Sequence, residues 1–335
     1  MNIAINGFGR IGRQALRIIL EKHPDLSVVL INDLTDDETL AHLFQFDSTY
    51  GRFPGTVEIK NGALVINGKT IQSTAEKDPE KLPMKDLKVD VVLECTGAFR
   101  KREQLELHRK AGAKKVLLSA PAKDEIDGTF VLGVNEKSYD SKTMHIVSNA
   151  SCTTNCLAPM VKVIHEHCTI EQGFMTTIHS YTNDQRILDF PHKDLRRARS
   201  AAENVIPTST GAAKAIGLVI PELKGKLDGI SIRVPTPTGS ITDFTCVVAK
   251  ETTAEALNAA FKKAAEGALK NILGYEEREL VLKDYVGDPR SSIIDAPNTK
   301  VHTENGVTMV KTLAWYDNEW GYSNRLVELA KFIAR

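Results

Sequence analysis

The residue best placed to do chemistry is Cys152, in the stretch Ser148-Asn149-Ala150-Ser151-Cys152-Thr153-Thr154-Asn155-Cys156. His145-Ile146-Val147-Ser148 reads as a strand end before it, and Leu157, Val161, Ile164 and Cys168 recur after it at helical spacing. The small hydroxyl residues therefore cap a helix, and Cys152 falls in its first turn. Unpaired amides and the positive end of the helix dipole favour an anion there, so the spacing predicts a thiol of lowered pKa and a nucleophile. A single cysteine is more often a buried structural thiol, and the helix start is what separates Cys152 from that default. Cys156 lies one turn on, on the same face. With no other close cysteine or histidine pair in the chain, neither a disulfide nor a metal site is expected.

A cysteine nucleophile needs a base. The run 171–179 reads as a long strand ending in His179, whereas His165 and His167 lie among charges on the helix. His179 is the candidate by elimination: neutral, it can take the thiol proton, and protonated, it can hold a thiolate or donate to an oxyanion. A lone histidine is otherwise most often a satisfied structural one.

A second chemistry is written at the start of the chain. Gly7, Gly9 and Gly12 fall at the spacing G-x-G-x-x-G between an apolar strand, Ile3-Ala4-Ile5, and a helix carrying Ala15, Leu16, Ile18 and Ile19. A following strand, Val28-Val29-Leu30-Ile31, runs on to Asp33. Glycines here permit a tight turn and close backbone approach, the helix N-terminus faces a pyrophosphate, and the acidic residue holds the adenosine ribose. A carboxylate at that point accepts from the 2′ and 3′ hydroxyls and repels a 2′-phosphate, which favours NAD over NADP. Asp33 as a mere turn cap is the lesser alternative.

A third pattern suits anions. Thr182, then Arg196, Arg197 and Arg199, then Thr208-Ser209-Thr210-Gly211 opening a helix over 212–220, then Arg233 closing a strand over 230–232, supply the hydroxyls, cations and helix start that phosphate binding requires. The arginine run read alone is more commonly a solvated charge cluster.

The elements that must position these groups alternate as strand and helix in the first half. After a helix over 39–46, three short strands separated by Asn61-Gly62 and Asn67-Gly68 hairpin signals form a small antiparallel insert. The parallel pattern resumes with strands over 89–94 and 116–119 flanking a helix over 101–110. Thr96, Gly97 and Ser119 then stand at strand carboxyl ends, the edge where open α/β sheets bind ligands, though as strand-end turn residues they need no such role. The second half has longer strands over 171–179, 243–249 and 308–316, a helix over 254–269, and a final helix over 326–333, which suggests a largely antiparallel sheet. The segment from Ser180 to Thr210 has no steady apolar period. Its scattered Ile187, Leu188, Phe190, Leu195 and Ile206 predict order through packing, with another subunit as one partner.

With 335 residues, two domains are expected. Forty-three basic and forty-three acidic residues balance, which argues against a nucleic-acid or membrane-surface specialist. Five cysteines, an odd number, read as free thiols in a reducing compartment, and no apolar run approaches a membrane span, so a cytoplasmic protein is expected. A cysteine hydrolase would use Cys152 and His179 but leave the glycine motif unexplained. A nucleic-acid module built on the arginines would bind only weakly and with steep salt dependence.

Residues 5–12, residues 148–156 and Trp315-Tyr316-Asp317-Asn318-Glu319 together resemble the phosphorylating glyceraldehyde-3-phosphate dehydrogenase family, over essentially the whole chain. The resemblance implies an α/β fold: a Rossmann-type doubly wound NAD-binding domain over 1–150 plus the C-terminal helix 317–335, and an α+β catalytic domain over 151–316 with a mixed, largely antiparallel sheet. It implies oxidation of glyceraldehyde 3-phosphate to 1,3-bisphosphoglycerate with inorganic phosphate, through a thiohemiacetal and thioester on Cys152, with erythrose 4-phosphate as the alternative substrate. By the same resemblance Arg10, Ile11, Asp33, Lys77, Ser119 and Asn318 contact NAD. Thr182 and Arg197 form one phosphate site, and Ser151, Thr153, Thr210, Gly211 and Arg233 meet substrate or incoming phosphate. A homotetramer is implied too, with a loop near 181–209 reaching a neighbour's cofactor region. Tyr50, Lys77 and Phe190 depart from the residues frequent in the family at those positions; Lys77 still supplies a cation.

Overall fold

A computed structural model describes all 335 residues. They form two compact units: Met1–Phe130, Lys137–Ala150 and Ser323–Arg335 in the first, Val131–Glu136 and Ser151–Tyr322 in the second.

The first unit is built on a nine-stranded sheet in the order Gly128–Thr129, Ile146–Ser148, Lys115–Leu118, Val91–Glu94, Asn2–Asn6, Ser27–Asn32, Lys69–Thr74, Ala63–Ile66, Val57–Lys60. The strands from Gly128–Thr129 to Lys69–Thr74 pair in parallel. Parallel strands covered on both faces must be apolar almost throughout, which explains why Ile3, Ala4, Ile5, Val91, Val92 and Leu93 are all buried. The antiparallel insert exists, but as an extension of this sheet: Lys69–Thr74 pairs in parallel with Ser27–Asn32, and the two remaining strands add antiparallel beyond it. Asn61, Gly62, Asn67 and Gly68 all adopt positive φ, as tight hairpin turns demand.

The second unit carries an eight-stranded mixed sheet. Its main order is Ile206–Ser209, Leu227–Val234, Ile170–Ser180, Ser240–Val248, Val307–Tyr316, Ser292–Asp295, Leu273–Glu276, with Lys300–Glu304 paired to Val307–Tyr316. Two neighbouring pairs are parallel and the rest antiparallel. Along Ser240–Val248 burial alternates residue by residue, the signature of a sheet covered on one face only. Strand register brings the chemistry to one edge: His179 stands beside Arg233 on one side and Ser240 on the other, and Ile206 stands beside Arg233.

Helix ends depart modestly from the spacing. The helix expected over 254–269 stops at Glu266, before Gly267. The last helix is longer than the apolar period suggests, Trp320–Ile333, because Asp317 Oδ1 accepts from the backbone N–H groups of Glu319 and Trp320 and starts it early.

Candidate active site

Cys152 opens the helix Cys152–Cys168, with Ser151 as its N-cap: Ser151 Oγ accepts from the Thr154 backbone N–H at 3.0 Å. Ala150, just before, sits at φ 55°, a left-handed conformation that costs an alanine about 1 kcal/mol and turns the chain sharply into the helix. Cys152 is half-buried and His179 buried, and Sγ lies 3.5 Å from His179 Nε2. His179 Nδ1 lies 2.7 Å from the Ser180 carbonyl. With Nδ1–H donating to that oxygen the Nε2 lone pair faces the sulfur, and with Nδ1 accepting from Arg233 Nη1 it is Nε2–H that does. Behind the thiol, Tyr316 is buried between Thr153 and Thr177, its hydroxyl 2.9 Å from each of theirs.

The electrostatics correct one expectation. The helix start was expected to lower the thiol pKa; instead burial raises Cys152 above its ordinary value, against the opposing pull of the Arg233 charge and the Thr153 contacts. Burial, reinforced by the same guanidinium, pushes His179 down to about 3. Both groups are thus held neutral near pH 7. Arg233 Nη1 crowds this pair, 2.5 Å from His179 Nδ1, and donates to the Ser180 carbonyl at 2.9 Å. Its own pKa is lowered by burial, so its charge gains from an incoming anion.

The other anion candidates are distributed unevenly. Arg197 donates to Thr208 Oγ1 and pairs with Asp184 and Asp194. Arg199 pairs with Asp189. The arginine run is therefore matched by carboxylates rather than presented as a bare positive stripe. Thr210 Oγ1 accepts from Ala212 N, and Gly211 is the N-cap of the helix Ala212–Val219. Thr182 is half-buried at the start of the same loop, its carbonyl accepting from Gln185 N.

In the first unit a cavity of about 390 Å³ is lined by Gly7, Gly9, Asp33, Lys77, Thr96 and Phe99, among others. Gly7 has φ 91°, and a Cβ there would fall 2.6 Å from the Thr96 backbone nitrogen, so only glycine fits. Gly9 is the N-cap of the helix Arg10–Lys22, which has neither a side-chain cap nor an acidic residue in its first turn. That turn, which contains Ile11 and Gly12, is the anion-binding end of the helix. Asp33 accepts from Phe8 N at 2.7 Å and Thr35 N at 3.0 Å, which fixes its carboxylate against the glycine turn. Arg10 turns to Asp47 at 2.5 Å and lies over the Tyr50 ring. Gly97, at φ 71°, follows Thr96, and Ser119 N donates to the Glu94 carbonyl. Asn318 belongs to the second unit, where its Oδ1 accepts from Gly239 N, Ser180 Oγ and Ser240 Oγ. Sequence reasoning passed over Asp47 and Asp184, since a single acidic residue in a loop carries no spacing signal until its cation partner is seen beside it.

Comparison with known proteins bears on both units. Residues 1–102 match the model for the glyceraldehyde 3-phosphate dehydrogenase NAD binding domain, and residues 151–318 match that for the C-terminal domain of the same enzyme. Along its whole length the chain is 58% identical to a glyceraldehyde-3-phosphate dehydrogenase of Geobacillus stearothermophilus, over 98% of that protein. It is 56% identical to glyceraldehyde-3-phosphate dehydrogenase 1 of Bacillus subtilis, again over 98% of the relative. The Clostridium pasteurianum enzyme of the same name is also 56% identical, over 99% of this chain.

Proposed function

The chain belongs to the glyceraldehyde-3-phosphate dehydrogenase family, and we propose that Cys152 and His179 carry its reaction: NAD-dependent oxidation of glyceraldehyde 3-phosphate and capture of the acyl group by inorganic phosphate to give 1,3-bisphosphoglycerate. The observation that carries this assignment is the 3.5 Å approach of Cys152 Sγ to His179 Nε2 at a helix start. His179 takes the thiol proton as sulfur attacks the aldehyde carbon. The resulting thiohemiacetal oxyanion is stabilised by helix-start amides and the protonated imidazole. Cys152 then holds the acyl group as a thioester until phosphate attacks its carbonyl carbon and the thiolate leaves. Arg233 is the cation for that phosphate, with Ser151, Thr153, Thr210 and Gly211 around it, and Thr182 and Arg197 hold the substrate's own phosphate. Because Arg197 is already paired, a bound phosphate must displace or share with Asp184. Erythrose 4-phosphate is not favoured as the substrate, since the relatives carry the glyceraldehyde 3-phosphate name.

The cofactor is NAD, and the residues fit it: an uncapped helix start, a glycine turn too tight for any Cβ, and a fixed carboxylate at Asp33. Gly7, Gly9, Arg10, Ile11 and Gly12 would hold the pyrophosphate, Asp33 the ribose, with Lys77, Thr96, Gly97, Ser119 and Asn318 completing the site. Once bound, NAD supplies the hydride acceptor. The test is NADH formation from glyceraldehyde 3-phosphate with and without inorganic phosphate. Sustained formation is expected only with phosphate, and phosphate-independent turnover would contradict the thioester route.

We infer a homotetramer as well. The open face of the second unit's sheet exposes Phe174 by 72% and carries Ile230 and Met309 beside it, and the 181–209 loop shows Ile187, Leu188, Phe190 and Leu195 to solvent. Apolar surface of that extent calls for a partner. A cytoplasmic setting suits five free thiols; no helix is long and apolar enough to cross a membrane.

A further inference from the structure

At the carboxyl edge of the first unit's sheet, Asn32, Asn6 and Glu94 end three neighbouring parallel strands and stand in register across them. All three are buried. Their hydrogen bonds have a direction that can be read from one end. The Glu76 backbone N–H donates to Asn32 Oδ1 at 2.8 Å, as does the Thr74 hydroxyl, so the Asn32 oxygen is committed. Asn32 Nδ2 must then donate, and does, to Asn6 Oδ1 at 2.7 Å and the Glu76 carbonyl at 2.9 Å. Asn6 is left to donate its own Nδ2 to Glu94 Oε2 at 2.6 Å. From the opposite side the Thr96 backbone N–H donates to Glu94 Oε1 at 2.9 Å, and the Thr96 hydroxyl bonds the same oxygen. His108, fully buried on the helix Arg102–Lys110, places Nε2 2.8 Å from Oε2, while its Nδ1 has no partner, so the ring's proton belongs on Nε2.

Backbone N–H groups, which can only donate, therefore pin the array at Glu76 and at Thr96, and the donors of Asn6, Thr96 and His108 converge on one side chain. A carboxylate accepts at both oxygens and satisfies all of them; an isosteric amide would turn its NH₂ against a donor. The two segments tied together are opposite walls of the cavity, Glu76 and Lys77 on one side, Thr96 and Phe99 on the other. The His108 ring also meets the Phe99 ring edge-on at 6.4 Å. We propose that Glu94 is a positioning residue of the dinucleotide site, an acceptor-only hub that sets the separation of the two walls, with His108 as its supporting donor. Neither residue is exposed, so both act through Asn6, Thr96 and Phe99 rather than on the cofactor. The inference rests on the reading of this cavity as the NAD site.

The test measures NAD Kd, KM for NAD, kcat and KM for glyceraldehyde 3-phosphate in Glu94→Gln, His108→Leu, His108→Gln and Asp33→Ala proteins. Glu94→Gln and His108→Leu are expected to weaken NAD binding about tenfold, the loss of roughly one buried hydrogen bond to a charged group. At saturating NAD, kcat and the aldehyde KM should stay within about twofold. His108→Gln, whose amide nitrogen can donate in place of the imidazole, should recover most of the affinity. Unchanged NAD affinity in Glu94→Gln and His108→Leu, with Asp33→Ala weakened, overturns the proposal alone; unchanged affinity in Asp33→Ala as well overturns the cavity assignment with it. A His108→Gln protein as weak as His108→Leu also overturns it, because a packing role would need the ring and not the donor. If Glu94→Gln does not fold, the two His108 variants decide the matter by themselves.

Discussion

The cavity of the first unit proposed for NAD and the Cys152 site proposed for the reaction in the second treat their polar groups in opposite ways. Around the cavity the bonds are already made: Asp33 is held by two backbone N–H groups, and Glu94 takes donors at both oxygens. Around Cys152 the groups are held away from their charged forms, the thiol raised and His179 lowered by burial, with a half-buried guanidinium pressed against the imidazole. A cofactor site gains from a fixed shape that meets an unchanging pyrophosphate and ribose. A reacting site must pass a proton and receive anions, and groups left short of partners respond most strongly when these arrive.

Breaking the second site should therefore cost catalysis, and breaking the first should cost binding. His179→Asn is expected to lower kcat by about 10²- to 10⁴-fold, the range for loss of a general base, with NAD affinity unchanged; a matching loss of NAD affinity would erase the contrast. Arg233→Ala should raise the phosphate KM by more than about tenfold, the scale of a lost charge-assisted pair. Because its charge pulls the Cys152 thiol down, the same change should also move the pH midpoint of Cys152 alkylation upward; a downward move would mean that Arg233 acts on the thiol by burying it and not through its charge. Asp33→Ala should shift the NADP-to-NAD ratio of kcat/KM about tenfold toward NADP while leaving kcat with NAD near wild type, and an unmoved ratio would free Asp33 from the ribose.

The smallest effect is on stability. His179 in the unfolded chain takes up a proton near pH 6.5, but in the folded chain only near pH 3, so between these values the unfolded state binds more protons. Stability should fall as pH drops through that window, by at most about 1.4 kcal/mol per pH unit from this residue. Urea melts at pH 7 and pH 5 should show a shallower loss in His179→Asn than in wild type.

Much of this was legible before any coordinates. The glycine spacing, Asp33, and Cys152 at a helix start are local patterns, and local patterns survive in sequence. The strand Ile170–Ser180 and its terminal histidine were readable because eleven residues are enough to show a period. What escaped depended on register between distant segments. Ser292–Asp295 and Leu273–Glu276 are too short to carry a period. Arg233 reaches His179 only because two strands align in parallel. Glu94 read as the last residue of an apolar strand, and its role needs Asn6, Asn32 and His108 to be brought beside it. The thiol's raised pKa depended on how deeply the helix start was packed, which no motif encodes.

The most direct test is to mix the enzyme with NAD and glyceraldehyde 3-phosphate in the absence of inorganic phosphate and analyse the quenched protein by mass spectrometry while following NADH. About one NADH per chain should form in a burst, with a phosphoglyceryl adduct on Cys152 that disappears when phosphate is added and never forms in Cys152→Ser. An adduct on another residue, or a burst that survives Cys152→Ser, would contradict the assignment of Cys152 as the nucleophile.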